Sequence, residues 1–208
     1  MRFPARLMRA RRSLWHLFMF VVDHVVWLVP IWRRNRSEDV LIIKPDRMGD
    51  FLVWLDAAQE YRRCFSGKKV VLLGDASWAE LAQRIGWWDE VWPMDFGRFG
   101  NDIAYRIKWL YRVRWGGFAT VVITTRSLRY ADTLVRFSGA PEKIGPDGTE
   151  ALIEQDKEIR ISNRWFTRVV ALTPRRATTA LELNLEFARA FGGHSRTPSL
   201  PLLPETVV

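Results

Sequence analysis

The stretch at residues 40–55, VLIIKPDRMGDFLVWL, constrains the fold more than any other part of the chain. Its first four residues are a continuous apolar run, β-branched at three of the four positions. Such a run is typical of a central parallel strand that is covered on both faces. Pro45 ends the run, and apolar side chains then recur at helical spacing from Phe51 to Ala58. The stretch therefore predicts a strand, a short loop and a helix.

The loop between this strand and this helix carries polar residues where ligands usually bind in α/β folds. Ligands of open α/β sheets lie outside the carboxyl ends of the strands, and Asp46, Arg47 and Asp50 follow such an end. Gly49 lets the backbone turn sharply or approach a ligand closely. Asp50 falls at the helix N-terminus, where unpaired N–H groups favour a carboxylate. The loop is therefore the predicted edge of an active site, and the alternative that Asp50 only caps the helix stays open.

Further apolar runs alternate with helical patterns and predict an α/β fold, a Rossmann-like doubly wound parallel sheet. Besides residues 40–43, strands are predicted at residues 69–73, 90–94 and 119–123. Helices are predicted at residues 51–64, 77–84, 102–113, 128–137 and 178–191. The second of these helices is expected to begin with a capping box of Ser77 and Glu80, and the third carries Arg106 beside apolar positions that point inward.

The fourth predicted strand ends in a polar segment, residues 124–127, on the same edge as Asp50 if the sheet is parallel. Arg126 suits an anionic sugar or a phosphate, because a planar guanidinium makes bidentate contacts. The alternative, a structural pair between Arg126 and an acidic neighbour, stays open. Further on, a loop with Lys143 exposed is expected to line the cleft, although tight turns also explain the glycines of that loop.

The composition fits one domain with an extension, because 208 residues of which 48% are hydrophobic suffice for a single core. The single cysteine, Cys64, excludes an internal disulfide framework and a cysteine-rich metal site. The three histidines are scattered without ligand spacing, so no metal is predicted. These features suit a reducing, cytoplasmic setting.

The positive charge is concentrated in residues 1–36, where eight arginines against Asp23 give +7 of the formal net charge of +9. Between the arginines, residues 13–32 are almost wholly apolar, while His16, Asp23 and His24 share one helical face. This pattern predicts an amphipathic helix on anionic lipid of the inner leaflet, peripheral on the plasma membrane. A membrane span and a helix packed on the protein are the alternatives. No nucleic-acid-binding module is recognisable, and nucleic acid is not predicted as a partner.

Three segments follow from these patterns. Residues 1–36 are the basic, apolar extension, and residues 37–195 are the Rossmann-like domain. Residues 196–208 contain three prolines and are typical of an extended linker.

Two stretches resemble landmarks of glycosyltransferase family 9, the bacterial heptosyltransferases. One is the strand, polar loop and Gly-Asp pair of residues 40–55, and the other is SGAPEKIG at residues 138–145. The resemblance covers about residues 39–203 and implies the acceptor-binding half of a two-domain GT-B glycosyltransferase. Members of the family transfer a sugar, often heptose from an ADP-sugar, to the lipopolysaccharide core with inversion and without a metal. The linker would then lead to a donor-binding domain that residues 1–208 do not contain.

The resemblance also implies roles for single residues. Asp50 matches the acidic residue proposed as the general base, which takes the proton of the acceptor hydroxyl. The residues expected to bind the acceptor are Lys44, Asp46, Arg47, Gly49, Arg126 and Lys143. The nucleotide-sugar is a co-substrate and no cofactor is implied; the expected partners are a lipid-linked saccharide acceptor and a donor-binding domain supplied in trans. The alternative function is a non-catalytic, membrane-associated module for glycan or lipid binding or for scaffolding.

Overall fold

The computed structural model describes residues 18–19, 21–24, 38–126, 131–147, 162–173 and 178–193, together with residues 197 and 199. Among these residues, six strands form one sheet: β1 Val40–Lys44, β2 Val70–Asp75, β3 Glu90–Met94, β4 Thr120–Ile123, β5 Glu142–Pro146 and β6 Arg168–Val170. All neighbouring strands pair in parallel, in the order β3-β2-β1-β4-β5-β6. The strand order reverses between β1 and β4, so the topological switch point lies at their carboxyl ends. The predicted doubly wound parallel sheet is confirmed.

The described helices are α1 Met48–Cys64, α2 Ala79–Ile85, α3 Phe96–Asn101, α4 Ile103–Trp115, α5 Ala131–Phe137 and α6 Ala180–Arg189, with a 3-10 turn at Asn163–Trp165. The capping box predicted at the start of α2 is wrong, because the N-cap residue is Trp78 and makes no side-chain cap. The Ser77 N–H instead donates to the Asp75 carboxylate at 3.0 Å, within the turn that leaves β2. A capping box does form at α6, between Thr179 and Glu182.

The central strand β1 supplies both layers of the core. Leu41 and Ile43 belong to the cluster that α3, α4 and α5 cover, whereas Val40 and Ile42 belong to the cluster that α1, α2 and α6 cover. All four side chains are fully buried. Burial on both faces is the reason why the apolar run of β1 is continuous and does not alternate.

The second half of the sheet departs from the sequence pattern. The loop predicted around Lys143 is wrong, because this residue lies in β5 and pairs with Val121 of β4. The edge strand β6 has no predicted counterpart. Strand β6 has three residues, and β5 contains a glycine and a proline. Neither strand therefore shows an apolar run, and pairing with the preceding strand decides the structure.

The described helical residues before the sheet dock on the domain through polar side chains. Asp23 accepts hydrogen bonds from Nε and Nη2 of Arg106 in α4, both 2.6 Å long, and both side chains are buried. His24 lies 2.9 Å from the Arg136 guanidinium and meets the Phe137 ring edge-on. Arg106 is thus an internal residue of α4. The pattern of that helix does not predict its burial, because its partner lies 83 residues earlier in the chain.

The same helical turns expose apolar side chains. Phe18 and Val21 are 47% and 51% exposed, while Asp23 is buried against the domain. No helix among the described residues is both long and apolar enough to span a bilayer. The rest of the predicted amphipathic helix lies outside the described residues.

Most of the predicted linker also lies outside the described residues. Ser199 is described, and it contacts the middle of α1. Its N–H and its hydroxyl donate to the buried Asp56 carboxylate at 3.0 and 3.2 Å. This part of the segment therefore lies against the domain.

Candidate active site

The carboxyl ends of β1 and β4 lie side by side at the edge where the predicted site residues collect. Ile43 pairs with Ile123, and the Thr124 N–H donates to the Ile43 carbonyl at 3.0 Å. Asp50 follows β1 and residues 124–126 follow β4, so the parallel pairing brings both segments to one edge. Residue 127 lies outside the described residues. That Asp50 and this segment line a single cleft stays a prediction.

Lys44 and Asp46 form a buried ion pair beneath the loop. The Lys44 ammonium donates to the Asp46 carboxylate, and the two side chains are 4% and 8% exposed. The ammonium also lies 5.9 Å from the centroid of the Trp54 ring. Breaking a buried pair leaves an uncompensated charge, so each partner fixes the other in place. Both residues therefore hold the loop from within, and contact of either with an acceptor stays a prediction.

Trp78 holds the same loop from the side of β2. Its indole N–H donates to the Asp46 carbonyl oxygen at 2.8 Å, and its ring stacks on Phe51 with 4.0 Å between centroids. The ring lies over Gly74, where an added Cβ would be 1.8 Å from the nearest Trp78 carbon. The absence of a side chain at Gly74 is thus what admits the indole. Nothing in the sequence links this tryptophan, in the next βα turn, to the loop after β1.

Arg47, Gly49 and Asp50 are the predicted site residues that face solvent. Arg47 is the N-cap residue of α1 and forms no side-chain cap, and Asp50 lies in the first turn. The Asp50 carboxylate makes no hydrogen bond or ion pair with another described residue. It points to solvent at the switch point of the sheet and is available to a ligand.

Gly49 is not explained by the turn of the backbone. It lies in the first turn of α1, and its φ is not positive. A Cβ added there would have no heavy atom within 4 Å. The predicted sharp turn is therefore wrong. Close approach of a ligand at Gly49 stays a prediction.

Arg126 is buried at the end of β4 and joins segments that are distant in sequence. It donates to Asp132 of α5 from Nε at 3.1 Å and from Nη2 at 2.7 Å. It also donates to the Ser162 hydroxyl, the Asn163 side-chain oxygen and the Pro146 carbonyl. The two alternatives for Arg126 are contact with an anionic ligand and an ion pair with an acidic neighbour, and the structure shows the ion pair. Contact with an acceptor stays a prediction, and burial of the guanidinium does not favour it.

Asp132 is the buried partner that makes this cluster sensitive to change. Burial raises the pKa of its carboxyl, and the Arg126 guanidinium and the Ser162 hydroxyl oppose that shift. Its Oδ1 atom has no hydrogen-bond partner among the described residues. The Arg126 guanidinium also lies 4.7 Å from the centroid of the Phe166 ring, which covers one of its faces. Removing the guanidinium would leave this carboxyl buried without its cation.

Lys143 is not brought together with Asp50. It pairs with the second residue of β4, near the amino end of the sheet, whereas Asp50 follows the carboxyl end of β1. Burial lowers the pKa of its ammonium group, and Arg114 and Arg136 act in the same direction. The loop position predicted for Lys143 is wrong, because the residue lies in β5 and is half-buried, and its contact with an acceptor stays a prediction.

The glycines of residues 138–145 have separate explanations. Gly139 has a φ of +73°, which a turn requires. Gly145 lies in β5 under Phe166, where an added Cβ would be 2.5 Å from a ring carbon. This stretch therefore supports the Arg126 cluster through Phe166.

The partners of Arg126 are the residues that sequence reasoning misses. Asp132 stands six residues after Arg126, in the first turn of α5, and such an acidic residue is the one signal that the sequence offers. Ser162 and Asn163 lie 36 and 37 residues away in sequence and carry no signal.

No family model matches the sequence, and no curated protein matches it either. Several solved structures are nevertheless similar in fold. The chain is similar to the E. coli heptosyltransferase WaaC with ADP, with 19% identity and a TM-score of 0.60, over 77% of this chain and 49% of that chain. For E. coli ADP-heptose LPS heptosyltransferase II the identity is 17%, the TM-score 0.56, and the coverage 80% and 46%. For a glycosyl transferase family 9 protein from Veillonella parvula these values are 12%, 0.55, 84% and 44%.

These likenesses establish the fold, an α/β Rossmann-like sheet as in one half of GT-B heptosyltransferases. The chain spans about half the length of the structures that it matches. The resemblance to the heptosyltransferase family drawn from residues 40–55 and 138–145 is confirmed at the level of the fold.

Proposed function

We propose that residues 37–195 bind the acceptor in a glycosyl transfer reaction whose nucleotide-sugar donor is held by a second domain. The fold likeness to heptosyltransferases supports this assignment. The observation that carries it is Asp50, a solvent-facing carboxylate without a partner among the described residues, on a rigidly held loop at the switch point of the sheet. Ligands bind at this point in open α/β sheets.

In the proposed reaction, an acceptor hydroxyl attacks the anomeric carbon of the donor sugar. A bond forms between the hydroxyl oxygen and this carbon while the bond from the carbon to the nucleotide diphosphate breaks. Attack from the opposite face inverts the configuration. The hydroxyl proton passes to the Asp50 carboxylate, which acts as the general base. The proposal assigns no metal to this step.

The proposed substrates are inferred from the ligands in solved structures of similar fold. One of these structures contains ADP, and another contains ADP-2-deoxy-2-fluoro heptose. The donor would be an ADP-sugar, and the acceptor an anionic, lipid-linked saccharide of the lipopolysaccharide type. Arg47 is the exposed cation beside Asp50 that is suited to a phosphate or carboxylate of the acceptor. Activity can be measured on a chimera in which residues 1–208 precede the half of WaaC that this chain does not match.

Replacing Gly49 by alanine is expected to separate stability from activity. The free energy of unfolding should rise by about 0.5–1 kcal/mol, because alanine suits a helix better than glycine and the added Cβ meets nothing in the chain. Transfer by the chimera should fall about tenfold or more, because the Cβ meets the acceptor and displaces it. Urea unfolding and release of ADP measure the two effects.

Gln59→Ala is the matched control, since it changes helix propensity in the middle of α1 and away from the loop. Its activity should stay at the level of the unchanged chimera. Full activity of Gly49→Ala would show that no ligand approaches this turn closely.

We also propose that the exposed apolar side chains before the sheet insert into an anionic membrane surface on the cytoplasmic side. The buried pair of Asp23 and Arg106 supports this, because it holds the helical turns against the domain while Phe18 and Val21 face outward. The +7 charge of residues 1–36 supplies attraction to anionic lipid. Such a surface suits an enzyme whose acceptor is lipid-linked.

The membrane proposal predicts binding to vesicles that contain phosphatidylglycerol, and this binding should weaken as salt is added. The double variant Phe18→Ser and Val21→Ser should bind about tenfold more weakly, because it loses apolar area that enters the interface. Vesicle sedimentation measures both effects. Deleting residues 1–36 is a less clean test, since it would leave Arg106 buried without its carboxylate.

Trp115→Ser is the control for this test, because Trp115 is an exposed apolar residue on α4 and lies outside residues 1–36. Its vesicle binding should be unchanged. The absence of binding at low salt, or equal binding by the double variant, would contradict insertion of these side chains.

A non-catalytic membrane-associated module, for glycan or lipid binding or for scaffolding, is the second candidate. One specific observation favours it: two cations expected to contact the acceptor, Lys44 and Arg126, are engaged in internal ion pairs. A module of this kind would bind glycan without needing the Asp50 carboxylate. The response of the chimera to Asp50→Asn therefore separates the two candidates.

A further inference from the structure

A cavity of about 640 Å³ opens at the amino ends of the strands, on the edge opposite to Asp50. Asp39 precedes β1, Lys69 precedes β2, and Glu90 begins β3, and all three line it. Helix α4 forms the facing wall. The volume lies within the range of small-molecule sites. The proposed glycosyltransferase reaction does not use this cavity.

One face of α4 lines the cavity with two cations and two aromatic rings. Lys108, Tyr111, Arg112 and Trp115 follow one another at helical spacing and all border the cavity. Trp115 is 56% exposed. The Lys108 ammonium makes no hydrogen bond or ion pair with any described residue. The Lys108 ammonium and the exposed Trp115 side chain thus lie about two helical turns apart on the same face of α4.

Arg112 is held by stacking on two rings, and its charge also lowers the pKa of the nearby Glu90 carboxyl without forming an ion pair with it. The carbon of its guanidinium lies 4.2 Å from the centroid of the Trp92 ring and 5.0 Å from that of Trp109. Stacking leaves the N–H groups at the edge of the guanidinium plane, and within the described chain they donate to no acceptor. A guanidinium fixed in this way is suited to bidentate contact with a phosphate.

The opposite rim supplies an acceptor for hydroxyl groups. Lys69 and Glu90 neutralise each other in an ion pair 2.5 Å long. The Asp39 carboxylate accepts no hydrogen bond from another described side chain. The two positive charges of Lys108 and Arg112 therefore exceed the one remaining negative charge, that of Asp39. The net positive charge favours an anionic ligand.

We propose that this cavity binds a phosphorylated sugar ring, either a free sugar phosphate or the ribose phosphate of a nucleotide. The phosphate bridges Lys108 and Arg112, which stand four residues apart on one helical face. The ring packs on Trp115 and Tyr111, and its hydroxyls donate to Asp39. The proposal does not depend on the glycosyltransferase assignment.

Isothermal titration of the full-length chain with glucose 6-phosphate and with AMP tests the proposal, with glucose and inorganic phosphate as reference ligands. At least one phosphorylated ring should bind saturably, about tenfold or more tightly than either reference ligand, because each reference lacks one of the two contacts. Tighter binding of glucose 6-phosphate identifies a sugar phosphate site, and tighter binding of AMP identifies a nucleotide site. Binding of neither ring, or equal binding of inorganic phosphate, would overturn the proposal.

Three exposed residues of the cavity allow substitution without loss of the fold: Lys108→Ala, Arg112→Ala and Trp115→Ala. Each should weaken binding of the phosphorylated ring, by about tenfold for Arg112→Ala. Arg98→Ala is the matched control, because Arg98 stacks on Tyr105 at 4.7 Å outside the cavity. Asp50→Asn should also leave this binding unchanged, which separates the cavity from the proposed active site. Binding that survives all three cavity substitutions would place the ligand elsewhere and overturn the proposal.

Discussion

Replacing Arg126 by alanine is expected to lower the free energy of unfolding by about 3–5 kcal/mol, because it leaves the Asp132 carboxyl buried without its cation. The loss also removes hydrogen bonds to Ser162, Asn163 and the Pro146 carbonyl. Many domains are stable by only about 5–15 kcal/mol, so such a loss would be a large fraction of the whole. Urea unfolding monitored by circular dichroism measures it.

Two further variants make this test specific. Arg98→Ala removes an exposed pair between α3 and Asp102, the residue that joins α3 to α4, and should cost at most about 1 kcal/mol. The double variant Arg126→Met and Asp132→Leu should recover much of the lost stability, because neither buried charge remains. If Arg126→Ala left stability unchanged but lowered acceptor binding, the residue would belong to the acceptor site and not to the internal ion pair.

Replacing Asp50 by asparagine in the chimera should lower the rate of transfer by about 10²–10⁴-fold, the range typical of a lost general base. Stability should stay within about 0.5 kcal/mol, because the side chain is exposed and makes no hydrogen bond or ion pair with another described residue. Release of ADP at saturating donor and acceptor measures the rate.

The control is Glu80→Gln, which neutralises an exposed carboxylate in the first turn of α2, the helix that follows β2. Glu80→Gln and Asp50→Asn each remove a carboxylate charge from the first turn of a helix, but only Asp50 lies at the proposed active site. Glu80→Gln should therefore leave the rate of transfer unchanged. Equal rates for Asp50→Asn and the unchanged chimera would remove Asp50 from the mechanism and favour the non-catalytic module.

The central half of the fold is predictable from the sequence because local signals there agree with tertiary structure. The apolar runs of β1, β2 and β4 are buried on both faces, so each run is visible without knowledge of its neighbours. Glycines and aspartates mark the intervening turns. At β5 the local signal is weak. Gly145 lies in this strand because the Phe166 ring, about 20 residues later in the chain, leaves no room for a side chain. Prediction fails where pairing and not pattern decides the structure.

The residues of the candidate site also fall into those that the sequence can place and those that it cannot. The loop residues Arg47, Gly49 and Asp50 can be placed at the sheet edge from sequence, because topology fixes where the carboxyl end of β1 lies. The surroundings of Lys44 and Arg126 cannot be predicted, because each cation is buried with its carboxylate partner and the sequence does not show that burial. Lys44 differs from Arg126 in having its partner two residues away, and even there burial is the property that the sequence does not reveal.

The measurement that tests the proposed function most directly is sugar transfer from ADP-heptose to truncated lipopolysaccharide, by residues 1–208 alone and by the chimera. Positioning donor and acceptor together contributes about 7–11 kcal/mol to lowering such a barrier, and a single domain supplies one side of that arrangement. Binding of ADP by the chimera verifies that its donor domain is folded. We expect transfer by the chimera and none above background by residues 1–208 alone. Transfer at the same rate by residues 1–208 alone, or none by a chimera that binds ADP, would contradict the assignment of this domain as the acceptor-binding half of a glycosyltransferase.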